Sequence, residues 1–180
     1  MSHAAVADFH VSARPSGLPV VHELDDLLDL EADDLSRLYV AARAPRLGAV
    51  SGDLRGRMLA IPSFGQSLVA SACRGLARTS SFPWKGKTFT PLTESAGEGI
   101  NRVFSDRFRL FRFTTFVGPS RAGDFDAVQL DYDHPENPFF IRAIKDEIRE
   151  LSPGLWLGQA YLNVGRAPVL GLYFGLAEKR

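Results

Sequence analysis

The feature that most constrains this chain is a series of strand-like segments after residue 81. They are "FPWKGKTFTPL" (82–92), "RFRLFRFTTFVG" (107–118), "DFDAVQLDYD" (124–133), "GLWLGQAYLNVG" (154–165) and "PVLGLYFGLA" (168–177). Aromatic and β-branched residues dominate them, as expected of side chains that pack on a pleated surface. "SRAG" (120–123) and "GRA" (165–167) suit tight hairpin turns between neighbours. Five strands joined this closely predict a mostly antiparallel sheet that curls into a barrel or a strongly curved sheet.

Helices are expected around that sheet. Residues 22–45 read as two helical pieces, with Leu24, Leu27, Leu28 and then Leu35, Leu38, Tyr39, Ala42 at helical spacing. Early acidic and late basic residues match the helix dipole, and Pro45 ends the run. Residues 56–64 suit a short strand and 66–80 a helix. One helix is expected to interrupt the sheet over 137–151. Asn137 serves there as N-cap, Pro138 takes the first helical position, Phe140, Ile141, Ile144, Ile148 and Leu151 form the apolar stripe, and Lys145, Asp146, Glu147, Arg149 and Glu150 face water. The fold class is therefore α+β. Residues 1–19 form a loose arm, 20–80 a helical region packed on the sheet, and 81–180 the barrel-like domain.

The two faces of the late strands carry the functional hint. In 155–164 one face is Trp156, Gly158, Ala160, Leu162 and Val164; the other is Leu155, Leu157, Gln159, Tyr161 and Asn163. In 169–176 the second face holds Tyr173 between Gly171 and Gly175. A half-exposed sheet would show a charged second face, whereas this one is amphipathic. Either it lines a ligand cavity with a few placed polar groups, or it is an outer face covered by the N-terminal helices. In the cavity reading Gln159, Tyr161, Tyr173 and Trp84 line the wall. Arg112 or Arg109 then grips the polar end of the ligand.

Other constellations weigh less. Tyr132, Asp133 and His134 could make an acid–base group at a barrel mouth. The same stretch, "YDHPENP", also serves as a strand end, a proline turn and a helix cap. Tyr161 is the remaining catalytic candidate. The single Cys73 sits on an apolar stripe, which suits a core thiol and permits no intrachain disulfide. The four histidines are far apart and no metal-ligand spacing occurs, so no metal is expected. "GEG" (97–99) is too short for a phosphate loop, and no cofactor is expected. Arg102, Arg107, Arg109 and Arg112 alternate with phenylalanines, but a formal net charge of +0 argues against nucleic acid. No basic-then-apolar leader and no run of about 18–20 apolar residues is present. A cytoplasmic protein without membrane insertion is the expectation, and its oligomeric state is left open.

Trp84, Gly86, Lys87 and Phe89 in "PWKGKTF" (83–89) resemble the W-x-G-K-x-F segment of the GXWXG-motif family of small bacterial proteins. "LDYDHPENPFFIRAIKDEIRELSPGLWLGQAYL" resembles its Y-D-x-P segment with the helix and apolar strand that follow, and "LYFGL" (172–176) its closing strand. The similarity spans roughly residues 82–177. Phe82 stands where the motif has glycine, and the "GEGINRVFSDRFRLFRF" segment is not part of the pattern. The resemblance implies a lipocalin-like barrel that holds a lipid or another apolar molecule, with no established catalytic residues. The leading functional expectation is binding of an apolar small molecule: a lipid, an isoprenoid or a polyketide-like compound. The alternative is a cofactor-independent isomerase or cyclase in the same cavity, using Tyr, Asp and His as acid–base residues.

Overall fold

A computed structural model describes residues 17–60, 62, 83–104, 107–163 and 167–179. Eight antiparallel strands close into a barrel in simple sequence order. They are β1 (Gly52–Met58), β2 (Trp84–Pro91), β3 (Ala96–Val103), β4 (Phe108–Pro119), β5 (Asp126–Asp131), β6 (Ile144–Ser152), β7 (Leu155–Leu162) and β8 (Val169–Glu178). β1 pairs with both β2 and β8, so no strand edge is left open. A 3-10 helix (Leu24–Asp29) and helix α1 (Ala32–Ala41) precede the barrel, and a short helix α2 (Phe139–Arg142) joins β5 to β6. No helix among the described residues is long and apolar enough to cross a membrane.

The inserted helix is one turn, not the fifteen-residue element its apolar spacing predicts. Residues Ile144–Ser152 form β6 instead, hydrogen-bonded to β5 on one side and β7 on the other. Read at period two, Ile144, Asp146, Ile148 and Glu150 share one face, and Lys145, Glu147, Arg149 and Leu151 the other. Asp146, Glu147, Arg149 and Glu150, expected in solvent, are all buried. Partners on both flanks override the local helical pattern, as tertiary context often does. Nor does Asn137 cap a helix. Its side-chain amide donates to the carbonyls of Arg112 (2.7 Å) and Tyr132 (2.8 Å), tying the β5–β6 connection to β4.

One further strand falls outside the expected set, and another overlaps the short strand expected at 56–64 only over residues 56–58. β3 runs through "AGEGINRV", too rich in glycine and charge to read as a strand. β1 lies at 52–58, so the barrel draws its first strand from within residues 20–80. The helix expected at 66–80, with Cys73, and most of the turn at 165–167 and of the N-terminal arm lie outside the described residues.

Two apolar layers hold the fold. Leu54, Phe89, Phe113, Val128, Leu130, Tyr132, Ile148, Trp156, Phe174 and Leu176 fill the lumen. Leu47 and Val50, from the turn before β1, join them and close the end where β1 begins. The second layer lies outside the wall. There Leu24, Leu27, Leu35, Leu38 and Tyr39 pack on Leu155, Leu157 and Tyr173 of β7 and β8. The two expected helical pieces thus cover one outer face of the barrel.

Inward glycines make room for rings inside. A Cβ at Gly158 would lie 2.2 Å from the Phe174 ring, at Gly99 2.4 Å from Phe113, and at Gly56 2.6 Å from Trp84. Gly158→Ala is therefore expected to displace Phe174 and to destabilise the barrel by about 1–3 kcal/mol, measured by urea unfolding. Gly86 serves the backbone itself. It sits at a bulge with φ 129°, and a Cβ there would meet the Leu54 carbonyl at 2.0 Å.

Candidate functional site

Within the lumen a polar cluster forms from side chains on β2, β3 and β6 and from Tyr132, just after β5. The alternation of β2 turns Lys87 inward, where its side chain is 4% exposed. Its ammonium donates to Asn101 Oδ1 (2.9 Å), Asp146 Oδ2 (2.9 Å) and the Tyr132 hydroxyl (2.5 Å). Tyr132 in turn donates to Asp146 Oδ2 (2.9 Å) and accepts from Asn101 Nδ2 (3.1 Å). Trp84 Nε1 donates to Asn101 Oδ1 (2.9 Å).

Aromatic faces complete the surroundings. Lys87 Nζ lies 5.1–5.5 Å from the ring centres of Trp84, Phe113, Tyr132 and Phe174, within cation–π range. These include the three rings for which Gly56, Gly99 and Gly158 leave space. Desolvation pulls the Lys87 amine below the usual ammonium range, with Asp146 opposing. Burial, with the Asp146 charge beside it, holds the Tyr132 phenol well above its ordinary range, so Tyr132 stays a hydrogen-bond donor.

From this cluster toward the end where β2, β4, β6 and β8 begin, the wall changes. Trp84, Phe111, Ile141, Ile144, Ala160 and Leu172 pack on the lumenal core but are only half-buried. Phe111 owes its place to a bulge in β4, where it takes φ 64° between the pairs Ile100–Arg112 and Asn101–Leu110. The result is an apolar mouth beneath which a charged pair is buried.

Of the residues expected at a site, Trp84 and Tyr132 meet here, bridged by Asn101. Gln159, Tyr161 and Tyr173 do not line the lumen; they point outward from β7 and β8, beneath the N-terminal helices or beside them. Tyr161 donates to Gln159 Oε1 (2.7 Å) and faces the Arg121 guanidinium. The same outer side carries Glu147, 0% exposed, which accepts from Tyr39 (3.0 Å), Ser120 (2.6 Å), Gln129 (3.3 Å) and both the backbone and side chain of Arg121 (3.0 and 3.2 Å). Asp133 pairs with Arg142 at the surface, and the His134 backbone with Nδ1 shapes the β5–α2 turn. The strand-end and turn reading describes these two residues. Tyr132 alone of the trio enters the barrel.

Arg109 and Arg112 also lie outside. Arg112 pairs with Glu136 at the surface (3.1 Å). Arg109 donates to the Thr88 hydroxyl (2.9 Å) and approaches Asp53 (3.6 Å). Asp53 accepts from Thr88 (2.6 Å), and that bond, with Arg102, Arg109 and Lys179 nearby, holds its carboxyl below the usual value of 3.8 despite some burial. A depressed folded-state pKa contributes stability that is present above the unfolded value and is lost as pH falls through the folded one. Asp53→Asn should therefore flatten the fall in stability below about pH 4, an effect read from unfolding curves collected at stepped pH.

Lys87, Asn101 and Asp146 were not among the expected site residues. Their signal lies in strand parity: Lys87 shares a face with Phe89, and Asp146 sits between Ile144 and Ile148. A lone charge on an apolar strand face marks a buried polar site once the strand is recognised.

The barrel is similar to the solved structure of a protein from the bacterium Thermomonospora curvata. The two share 14% sequence identity over 87% of this chain and 93% of that one, with a TM-score of 0.53. The likeness is one of fold. No family model matches the chain, and no curated protein matches it.

Proposed function

We propose that this chain is a small-molecule-binding barrel that takes an apolar ligand at its half-buried apolar mouth, above the Lys87–Asp146–Tyr132–Asn101 cluster. The observation that carries the reading is that cluster itself. A buried ion pair is a poor device for stability, because desolvation offsets most of its attraction and an apolar pair of equal volume would serve as well or better. Its placement beneath a half-buried apolar mouth matches the design of a ligand site: mainly hydrophobic walls with a few convergent polar groups. The closed eight-stranded barrel supports the same reading, as does the resemblance of "PWKGKTF" to the GXWXG motif. Trp84, expected in the ligand wall, keeps that role. The polar contacts pass from Arg109 and Arg112 to the buried cluster.

An acid–base reaction in the same space is the second reading. It rests on Asp146 and Tyr132 rather than on Asp133 and His134, and chemical conversion of a bound molecule is its test.

Binding is tested by blocking the mouth. Ala160 is inward, half-buried and paired with Asp146 across the β6–β7 ladder. In Ala160→Trp an indole occupies the mouth. Displacement of an environment-sensitive apolar dye by medium-chain lipids is expected in the native protein. The variant should bind the dye at least tenfold more weakly while retaining its circular dichroism. Equal dye binding by both proteins would count against the site.

A further inference from the structure

We infer that the ligand head recognised by this barrel is a neutral hydrogen-bond donor, an alcohol or phenol, and that Asp146 Oδ1 is the atom that receives it. The inference rests on the small-molecule reading above and follows from a full account of the cluster's hydrogen bonds. Lys87 spends its three N–H groups on Asn101, Asp146 and Tyr132. Tyr132 spends its one on Asp146 Oδ2. Asn101 Nδ2 donates to Tyr132 and to the Phe111 carbonyl (3.4 Å), and the Trp84 indole donates to Asn101. No donor of the cluster is left to meet a carbonyl, an ester or a carboxylate.

One acceptor is left. Asp146 Oδ2 accepts from both Lys87 and Tyr132, whereas Oδ1 is buried and has no partner among the described residues. A buried carboxylate oxygen without a donor is costly, so a donor supplied from outside is strongly favoured. Charge narrows the class further. A carboxylate ligand would meet Asp146 in a low-dielectric site, and an ammonium would meet Lys87, so both are disfavoured relative to a neutral hydroxyl. The apolar walls at the mouth accept the rest of the molecule. Asp146 is thus the specificity-determining residue, and Lys87 and Tyr132 position it.

The test uses four probes of one chain length: 1-decanol, decanal, decanoate and decylamine. Each is titrated into the full-length protein by dye displacement at neutral pH and corrected for its own octanol–water partition. Decanol is expected to bind at least tenfold tighter than the other three. In Asp146→Asn the side-chain oxygen can still serve Lys87 and Tyr132, while the amide nitrogen replaces Oδ1 and offers a donor. The order should then invert, with decanal above decanol. Equal affinity for decanol and decanal in the native protein would overturn the donor assignment and leave small-molecule binding standing. Failure of all four probes to displace the dye would overturn both. If the Asn variant does not fold, the native ranking alone decides the matter.

Discussion

Replacing Lys87 by methionine is expected to destabilise the protein by about 3–5 kcal/mol, the usual consequence of removing one partner from a buried ion pair. Methionine fits the space between the Trp84, Phe113 and Phe174 rings, so steric strain contributes little. The loss comes from Asp146, 6% exposed, whose carboxylate would keep only Tyr132 as a donor. Adding Asp146→Leu to Lys87→Met should recover most of that loss, because two apolar groups of similar volume can replace a buried pair at little net cost. Urea unfolding of the two single variants and the double variant gives the coupling directly. If the double variant were as unstable as Lys87→Met alone, the pair would have to be structural rather than a feature retained for binding.

Glu147→Ala should cause the second large loss, about 3 kcal/mol in the same assay. Glu147 gathers donors from Tyr39 on α1, from Ser120 and Arg121 in the β4–β5 turn, and from Gln129 on β5. Removing it leaves the buried Tyr39 hydroxyl without its acceptor, a penalty of about 1–3 kcal/mol, and strips the Ser120 and Arg121 donors of theirs, while Gln129 keeps the Gly118 and Pro119 carbonyls and the Arg121 side chain can turn to water. Tyr39→Phe deletes only one of these bonds and should lose about 1 kcal/mol. The comparison separates the role of Glu147 as a clamp from simple packing of α1. Near-wild-type stability in Glu147→Ala would mean that the apolar layer alone docks the N-terminal helices.

The barrel was legible where side chains alternate without ambiguity. β2, β5 and β7 fall within the expected segments, and β4 and β8 overrun theirs by one residue, since aromatic and β-branched residues at period two have few competing readings. β6 was not legible for a definite reason. Ile141, Ile144, Ile148 and Leu151 satisfy a helical repeat, while Ile144 and Ile148 also satisfy a strand repeat, and only the neighbouring strands decide between them. The misread face carried Asp146 with it, so the charge at the centre of the site was placed in solvent. β3 was hidden by the property that makes it useful: Gly97 and Gly99 leave room inside for Thr115 and Phe113, and Asn101 turns the remaining inward position polar. Gln159, Tyr161 and Tyr173 show the limit of alternation, which separates two faces without saying which one is inside. Here the leucine-rich N-terminal helices cover the amphipathic face, and the smaller face with Gly158 and Ala160 looks inward.

The account's central claim is that the mouth above Lys87 holds a small apolar molecule. Native mass spectrometry of the protein purified from its own host, followed by denaturing extraction, tests it most directly. The account predicts a co-purifying, hydroxyl-bearing apolar compound of defined mass on the native protein and its absence from Ala160→Trp. A bound compound retained equally by both proteins would place the ligand elsewhere. A bare native protein that also fails to bind any medium-chain alcohol would contradict the claim outright.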